Sequence, residues 1–169
     1  MSEVHPVSFV HLRCHSEYSI TDGIVRIDDY VEKASIENMP ALALTDLSNL
    51  FGAIKFYKAA RESGVKPLLG CDLWLENSLN RDQPYRLMLL CQTLVGYSKL
   101  CALISRAYLE NQYRGRPEIK REWLVEAGSE GLIMLSSAMM GDVGQALLQG
   151  NTASAKQLAQ SWADLFPHR

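Results

Sequence analysis

Residues 39–47 read MPALALTDL, and this stretch decides the fold class. Met39-Pro40 ends a preceding helix, because the residue before a proline disfavours the helical backbone. The run 41–45 is short and nearly all apolar, which is typical of a parallel strand covered on both faces. Asp46 and Leu47 follow directly at the carboxyl end of that strand. The stretch therefore predicts a buried strand between two helices, the repeating unit of an α/β fold.

Amphipathic helices are predicted on both sides of this strand. Residues 26–38 have apolar side chains at helical spacing. A second helix is predicted over 49–63, with Asn49 as its cap. Its apolar residues Phe51, Ile54, Tyr57 and Ala60 are expected to face inwards.

The rest of the chain continues the alternation of strands and helices. Further strands are predicted at 8–14, 67–75, 85–92 and 131–137, and further helices at 96–112, 121–127, 142–148 and 152–165. This order predicts a mostly parallel sheet, with 85–92 as the exception because no helix precedes it. Five strands are too few to close an α/β barrel. The chain ends after an apolar helix with no evident packing partner, so we expect an incomplete part of a larger domain.

Composition excludes several classes of protein. The chain has 169 residues, 47% of them hydrophobic, and a formal net charge of −2, which argues against disorder and against a protein that mainly grips nucleic-acid backbone. No apolar run approaches the roughly 18 residues of a membrane span, and no secretion signal is evident. The four cysteines show no CxxC spacing. We therefore expect reduced thiols, a cytoplasmic protein and no membrane partner.

Polar residues gather at the predicted strand ends. His15 and Asp22 follow the first strand, Asp46 ends the second, and Asp72 lies in the third. If these ends converge, as they do in α/β folds, the four side chains face one cleft. Histidine and carboxylates together suit divalent metals. The alternative is that these are ordinary turn, cap and hydrogen-bonding residues.

Several motifs resemble a known family. HLRCHSEYSITDG (11–23), MPALALTDLSNLFGAIKFYKAA (39–60) and GVKPLLGCDLWL (64–75) are similar to the N-terminal PHP (polymerase and histidinol phosphatase) domain of bacterial DNA polymerase III alpha subunits. The similarity continues through GYSKLCALISRAY, GLIMLSS and MGDVGQALLQGN to cover essentially the whole chain. It implies that residues 1–169 are the N-terminal part of an α/β, PHP-type distorted (β/α)7 barrel.

Active members of the family bind up to three metal ions and hydrolyse phosphoesters, and the resemblance locates their ligand positions here. In the His-x-His motif, the first histidine is replaced by Arg13 and the second is retained as His15. Asp22 matches the acidic position of the following Asp-Gly. The Thr-Asp-His motif reads Thr45-Asp46-Leu47, so its histidine is replaced by leucine. Asp72 stands in place of the glutamate of Gly-x-Glu. Arg86 replaces a histidine on the next strand, and Ala138 replaces a cysteine near the fifth strand.

These substitutions predict a degenerate cleft. Arginine offers no lone pair to a metal, and Arg13 and Arg86 place fixed positive charges where cations would bind. His15, Asp22 and Asp72 are the weak remaining metal candidates, so we expect no metal and no other cofactor to be bound by this segment. The arginines can instead pair with Asp22 and Asp72 and convert a metal cluster into an ion-pair cluster.

The resemblance also implies a function. The parent subunit is expected to perform template-directed DNA synthesis with Mg²⁺ bound outside this segment, which itself would be inactive and structural. Its implied partners are the proofreading exonuclease subunit, the rest of the polymerase III holoenzyme and, through the parent, DNA. The alternative is a metal-dependent phosphoesterase of the PHP family. A third hypothesis, a nucleic-acid-binding loop at 114–121, has weak support because Glu118 interrupts its basic residues and no aromatic ladder accompanies it.

Overall fold

The computed structural model describes residues 9–167. Within that range the chain forms six strands and six α-helices, with one short 3₁₀ helix at Ala138–Met140. The strands are β1 (Ala41–Leu44), β2 (Lys66–Leu75), β3 (Tyr85–Cys91), β4 (Gln112–Tyr113), β5 (Arg116–Ile119) and β6 (Leu132–Leu135). The helices are α1 (Ile27–Ile36), α2 (Ala53–Glu62), α3 (Leu94–Glu110), α4 (Arg121–Ala127), α5 (Asp142–Leu148) and α6 (Thr152–Leu165).

β2 is the central strand of the sheet. β1 pairs in parallel with its first half, β5 pairs in parallel with its last two residues, and β3 runs antiparallel along its other edge. Because β6 is antiparallel to β3, the strands β1, β2, β5 and β6 all point in one direction, and β3 and β4 oppose them. The predicted α/β fold, with mostly parallel strands and an exception at 85–92, is confirmed.

The segment predicted as a first strand, 8–14, is not a regular strand in its described part, 9–14, and Ser8 lies outside the described residues. It runs beside β1, where the amides of Ala43 and Thr45 donate to the carbonyls of His11 (3.0 Å) and Cys14 (2.9 Å). The two acceptors are three residues apart, whereas the two donors are two apart. This mismatch breaks the alternation that a regular ladder needs.

The basic loop expected at 114–121 is a β-hairpin that continues into α4. β4 and β5 pair with Tyr113 opposite Arg116, and the two residues between them, Arg114 and Gly115, both have positive φ (51° and 78°). Two consecutive positive φ values are the geometry of a two-residue hairpin turn. The Arg-Gly pair at this turn was the signal for the hairpin, although it is weaker than the usual Asn-Gly.

Two hydrophobic clusters hold the helices on one face of the sheet. The larger cluster places β2 and β3, through residues such as Leu73 and Leu89, against α3, α4 and α6. The smaller cluster joins β1 to α1 and α2. The helix at 152–165 was expected to lack a packing partner, but Trp162 and Phe166 are buried in the larger cluster, so that expectation was wrong.

The inward face predicted for α2 was wrong for three of its four residues and right for Ala60. Phe51, Ile54 and Tyr57 are 71%, 66% and 50% exposed, whereas Ala53, Phe56 and Ala60 are buried. The helix begins at Ala53 rather than near Asn49, whose side chain accepts a hydrogen bond from the amide of Phe51 and forms a turn before the helix.

The structure also bears on the expected reduced thiols and on the expected lack of a membrane span. The cysteines at 14, 71, 91 and 101 are all free thiols. Among the helices of residues 9–167, none is both long enough and apolar enough to span a membrane.

Candidate functional site

A cluster of charged side chains lies on the face of the sheet opposite to the large helix-covered cluster. Successive residues of a strand point to opposite faces, so Asp72 and Trp74 of β2 point away from Cys71 and Leu73. The sheet register places Arg86 of β3 beside Trp74, and a bridge places Leu47 beside Asp72. The cluster is completed by side chains of the N-terminal segment, which passes beside the end of β1.

Asp72 is the centre of the cluster. Its side chain is fully buried, and its Oδ2 atom accepts hydrogen bonds from Arg13 Nε (3.0 Å) and Arg13 Nη2 (2.6 Å). The same oxygen lies 3.0 Å from Nε2 of His15. One carboxylate oxygen of β2 thus anchors two side chains of the N-terminal segment.

His15 joins the two carboxylates of the cluster. Its Nδ1 lies 2.9 Å from Asp22 Oδ1, and its Nε2 faces Asp72. Carboxylate oxygens only accept, so both ring nitrogens must donate, and the ring is then an imidazolium. Burial lowers the pKa of His15, but the hydrogen bonds to Asp72 and Asp22 outweigh it and hold the pKa above the ordinary value of 6.5.

Arg86 supplies the second fixed positive charge. Its side chain is only 4% exposed, its Nη2 lies 3.5 Å from Asp22 Oδ2, and its guanidinium stacks 3.8 Å from the centre of the Trp74 ring. Burial lowers the pKa of Arg86, and the nearby charges of Asp72 and Asp22 oppose that shift. The pKa of Asp72 is lowered overall, because His15, Arg86 and Arg13 together outweigh the burial that would raise it.

Several buried polar atoms near this edge have no hydrogen-bond partner among the described residues. They are Asp72 Oδ1, Arg86 Nε, Arg86 Nη1 and Ser137 Oγ. Ser137 and the adjacent Ala138 both have positive φ (56° and 46°), which costs free energy in residues other than glycine. The strained loop at the strand ends indicates that the backbone conformation of the site is retained. The unsatisfied atoms indicate that its polar side chains lack part of their hydrogen-bond partners.

Asp46 is not part of the ion-pair cluster. It is buried, and its carboxylate accepts from the amide of Ser16 (2.6 Å), the hydroxyl of Ser16 (2.9 Å to Oδ2) and the hydroxyl of Ser19 (2.8 Å). Its role here is to fix the turn that presents His15. Neither serine was singled out from the sequence, and the signal for both was the polar stretch 15–22 between two apolar segments.

The two uncharged substitutions lie at the margins of the cluster. Leu47 pairs with Asp72 through backbone bonding, and its amide donates to Ser19 Oγ at 2.8 Å. Ala138 is exposed in the 3₁₀ helix after β6. Neither side chain offers a donor atom for a metal.

A further buried carboxylate, Glu118 on β5, was missed from the sequence. It is fully buried and accepts from Arg81 (2.8 and 3.1 Å) and Arg116 (2.5 and 2.8 Å). The Arg116 guanidinium also lies 5.2 Å from the Trp74 ring centre, so Trp74 contacts cations of both networks. Glu118 interrupts the basic loop in the sequence, and in the structure its single negative charge is shared between Arg81 and Arg116.

The donor set does not fit a divalent cation. Both nitrogens of His15 are turned to carboxylates, Oδ2 of Asp72 already contacts Arg13 and His15, and two guanidinium groups add positive charge. Within residues 9–167, no three His, Cys, Asp or Glu side chains are arranged so as to surround a metal ion. We therefore derive no catalytic step through a metal at this cleft.

Comparison with known proteins identifies the family of the chain. A family model described as the PHP domain matches residues 11–169. The chain belongs to the PHP-domain family. The PHP chain is 48% identical to DNA polymerase III subunit alpha of Pseudomonas fluorescens over 165 residues, and 44% identical to that of Escherichia coli K12 over 161 residues. These alignments cover 97% and 95% of the chain but only 14% of each relative, so the chain spans about one seventh of their length.

The solved structures that align with the chain are more distant. A metal-dependent phosphoesterase described as putative, from Bifidobacterium adolescentis, aligns with 94% of the PHP chain and 54% of its own, at 17% identity and a TM-score of 0.44. An amidohydrolase from Chromobacterium violaceum aligns with 59% of the chain and 33% of its own, at 20% identity and a TM-score of 0.47. The family assignment depends on the sequence matches and not on these structures.

Proposed function

We propose that this chain is the PHP-domain segment of the catalytic alpha subunit of a bacterial replicative DNA polymerase in the cytoplasm. The parent subunit adds deoxynucleotides to a primer with Mg²⁺ bound outside this segment. The observation that carries this proposal is the identity of 41–48% that extends across nearly the whole chain and recurs in alpha subunits of several bacteria. The segment itself is catalytically silent.

The role of the segment is structural. The pairs Arg13–Asp72, His15–Asp22 and Asp22–Arg86 tie the N-terminal segment to two strands of the sheet. Charge-assisted hydrogen bonds of this kind specify one arrangement, because separating them leaves buried charges unpaired. We infer that a former metal cleft now acts as an ionic clasp, and that the domain supports the polymerase and docks the proofreading exonuclease and other subunits of the holoenzyme.

A hydrolysis assay tests the silent cleft. We expect no release of nitrophenol from bis(p-nitrophenyl) phosphate by the chain with Mn²⁺, Zn²⁺ or Mg²⁺ above the level measured with chelator. The double variant Arg13→His/Leu47→His should remain inactive, because Arg86 and Ala138 are unchanged. Metal-dependent turnover by the unmodified chain that chelator abolishes would overturn the ionic-clasp interpretation.

A metal-dependent phosphoesterase is the second candidate function. The observation in its favour is that His15 lies within 3.0 Å of both Asp22 and Asp72, so three potential ligands share one place. Turnover by the unmodified chain in the same assay would establish this candidate. Turnover that appears only in the double variant would show instead that Arg13 and Leu47 alone silence the cleft.

The size of the native protein tests the polymerase assignment. We expect an antibody raised against the chain to detect, in host extract, a band several times larger than the 169-residue chain, because the relatives are about seven times longer. A band of the size of the chain would contradict the assignment to a polymerase subunit.

A further inference from the structure

Arg86 has more hydrogen-bond donors than partners. Its side chain is only 4% exposed, and a guanidinium group carries five N–H donors. Among residues 9–167, its Nε and Nη1 atoms have no hydrogen-bond partner, and the one carboxylate within 4 Å of the group is that of Asp22, which faces Nη2. A buried charge with unused donors is unfavourable unless an acceptor reaches it. The cleft therefore offers donors to a further oxygen acceptor.

The contact between Asp22 and Arg86 is loose. Its distance of 3.5 Å exceeds the separation of about 2.7–2.9 Å that is typical of a charge-assisted N–H···O hydrogen bond. The other carboxylate oxygen of Asp22, Oδ1, lies 2.9 Å from Nδ1 of His15. Two donor side chains thus converge on one carboxylate, and only His15 holds it closely.

Asp22 lies at the open mouth of the cleft. Its side chain is 40% exposed, whereas those of His15 and Arg86 are 10% and 4% exposed. The backbone holds the turn in place, because the amides of Asp22 and Gly23 both donate to the carbonyl of Ser19 (3.0 and 2.7 Å). The carboxylate can therefore rotate into water while the turn stays folded, and this movement would uncover the donors behind it.

We propose that His15 and Arg86 form a binding site for a small oxyanion, and that Asp22 occupies this site as an internal ligand that an external oxyanion displaces. Phosphate and carboxylate groups share the chemistry that the site recognises, because both present charged oxygen acceptors to fixed N–H donors. The site needs no metal, since Arg86 supplies a fixed positive charge. The proposal rests on the ionic clasp of the proposed function and adds a ligand class to it.

The internal ligand should weaken the binding of an external one. A group tethered to the same chain acts at an effective concentration of the order of millimolar, so a free oxyanion competes with Asp22 at every concentration below that. Removal of the carboxylate ends the competition and leaves both donor side chains available. We therefore expect Asp22→Ala to bind inorganic phosphate at least tenfold more tightly than the unmodified chain does.

The melting temperature of the 169-residue chain measures this binding, because a ligand that binds only the folded state raises it. Inorganic phosphate and, separately, sodium formate are titrated at pH 7, at constant ionic strength and with chelator present throughout. A response to phosphate but not to formate would identify a free tetrahedral anion as the ligand. A response to formate alone would identify the carboxylate of a side chain as the ligand.

Matched variants locate the site. Asp28→Ala also removes an exposed carboxylate, one that lies 3.0 Å from Lys55, and its response should equal that of the unmodified chain. The double variant Asp22→Ala/Arg86→Met keeps an unbranched side chain against Trp74 but lacks the guanidinium donors, so its response should be lost. If Asp22→Ala does not fold, Asp22→Asn replaces it, and the ³¹P NMR line width of added phosphate gives a second measure of binding.

Two results would overturn the proposal. They are equal responses of the Asp22 and Asp28 variants to both anions, and a response of the Asp22 variant that persists when Arg86 is replaced. Because chelator is present, a metal ion in the cleft cannot produce the response. Failure of this proposal is thus distinguishable from failure of the ionic clasp, which metal-dependent turnover in the hydrolysis assay would reveal.

Discussion

Replacing Asp72 by alanine should destabilise the domain strongly. The side chain is fully buried, and its Oδ2 atom contacts Arg13 and His15. Breaking a buried ion pair costs roughly 3–5 kcal/mol, because the partner is left charged and unpaired. Arg13 is 46% exposed and can turn to water, so its share is small, and the main cost comes from His15, which is 10% exposed and loses one of its two carboxylate partners. We therefore expect a loss near the lower end, about 3 kcal/mol.

Urea unfolding followed by circular dichroism measures this loss. A loss of about 3 kcal/mol corresponds to a fall in melting temperature of roughly 6–12 °C for a chain of this size. The matched control is Asp28→Ala, which removes an exposed carboxylate that lies 3.0 Å from Lys55 and should cost less than about 1 kcal/mol. Equal free energies of unfolding for the two variants would refute the view that Asp72 neutralises buried charge.

Three further predictions concern the cluster, the second network and the packing of α3. Because the pKa of His15 is raised in the folded protein, its contribution to stability is complete below the unfolded pKa near 6.5 and is lost as pH rises through the folded pKa. His15→Gln should therefore lower the free energy of unfolding more at pH 5.5 than at pH 8.5, as measured by urea titration. Glu118→Ala should lower the free energy of unfolding by roughly 3 kcal/mol, whereas the exposed Glu130→Ala should have little effect on the melting temperature; similar values would show that the Glu118 network is dispensable. Gly96→Ala should destabilise the chain by more than about 1 kcal/mol, because the new Cβ would lie 1.8 Å from a backbone oxygen. The control Gly64→Ala has open space around the new Cβ but a positive φ, and it should cost about 1 kcal/mol in the same assay. A smaller loss for Gly96→Ala than for Gly64→Ala would contradict the close approach of α3 to the loop before β6.

The elements that the sequence predicted best are those with a clear amphipathic period and clear ends. The bounds of α4, α5 and α6 match the predicted ranges 121–127, 142–148 and 152–165. The face of α2 was predicted wrongly because Phe51, Ile54 and Tyr57 fit a helical period as well as the buried residues do. Periodicity identifies a helix, whereas two neighbouring apolar stripes on one helix leave open which of them is buried.

The ion pairs of the cleft were partly predictable. Arginines at ligand positions beside Asp22 and Asp72 indicated that charges of opposite sign would pair. The stacking of Arg86 on Trp74 and the burial of Glu118 depend on the sheet register, which joins residues far apart in the chain. Asp46 has the same side chain as Asp72, and only the three-dimensional structure shows that it is held by serines instead of arginine.

Metal uptake by the unmodified chain tests the central claim most directly. Equilibrium dialysis against Zn²⁺ and Mn²⁺ at neutral pH, with Asp72→Ala beside the unmodified chain, reports any ion held at the cleft. The ionic clasp predicts that no stoichiometric metal is bound and that the two proteins give the same result. One or more ions bound per chain, and lost in Asp72→Ala, would contradict it and show that the cleft has kept its metal chemistry.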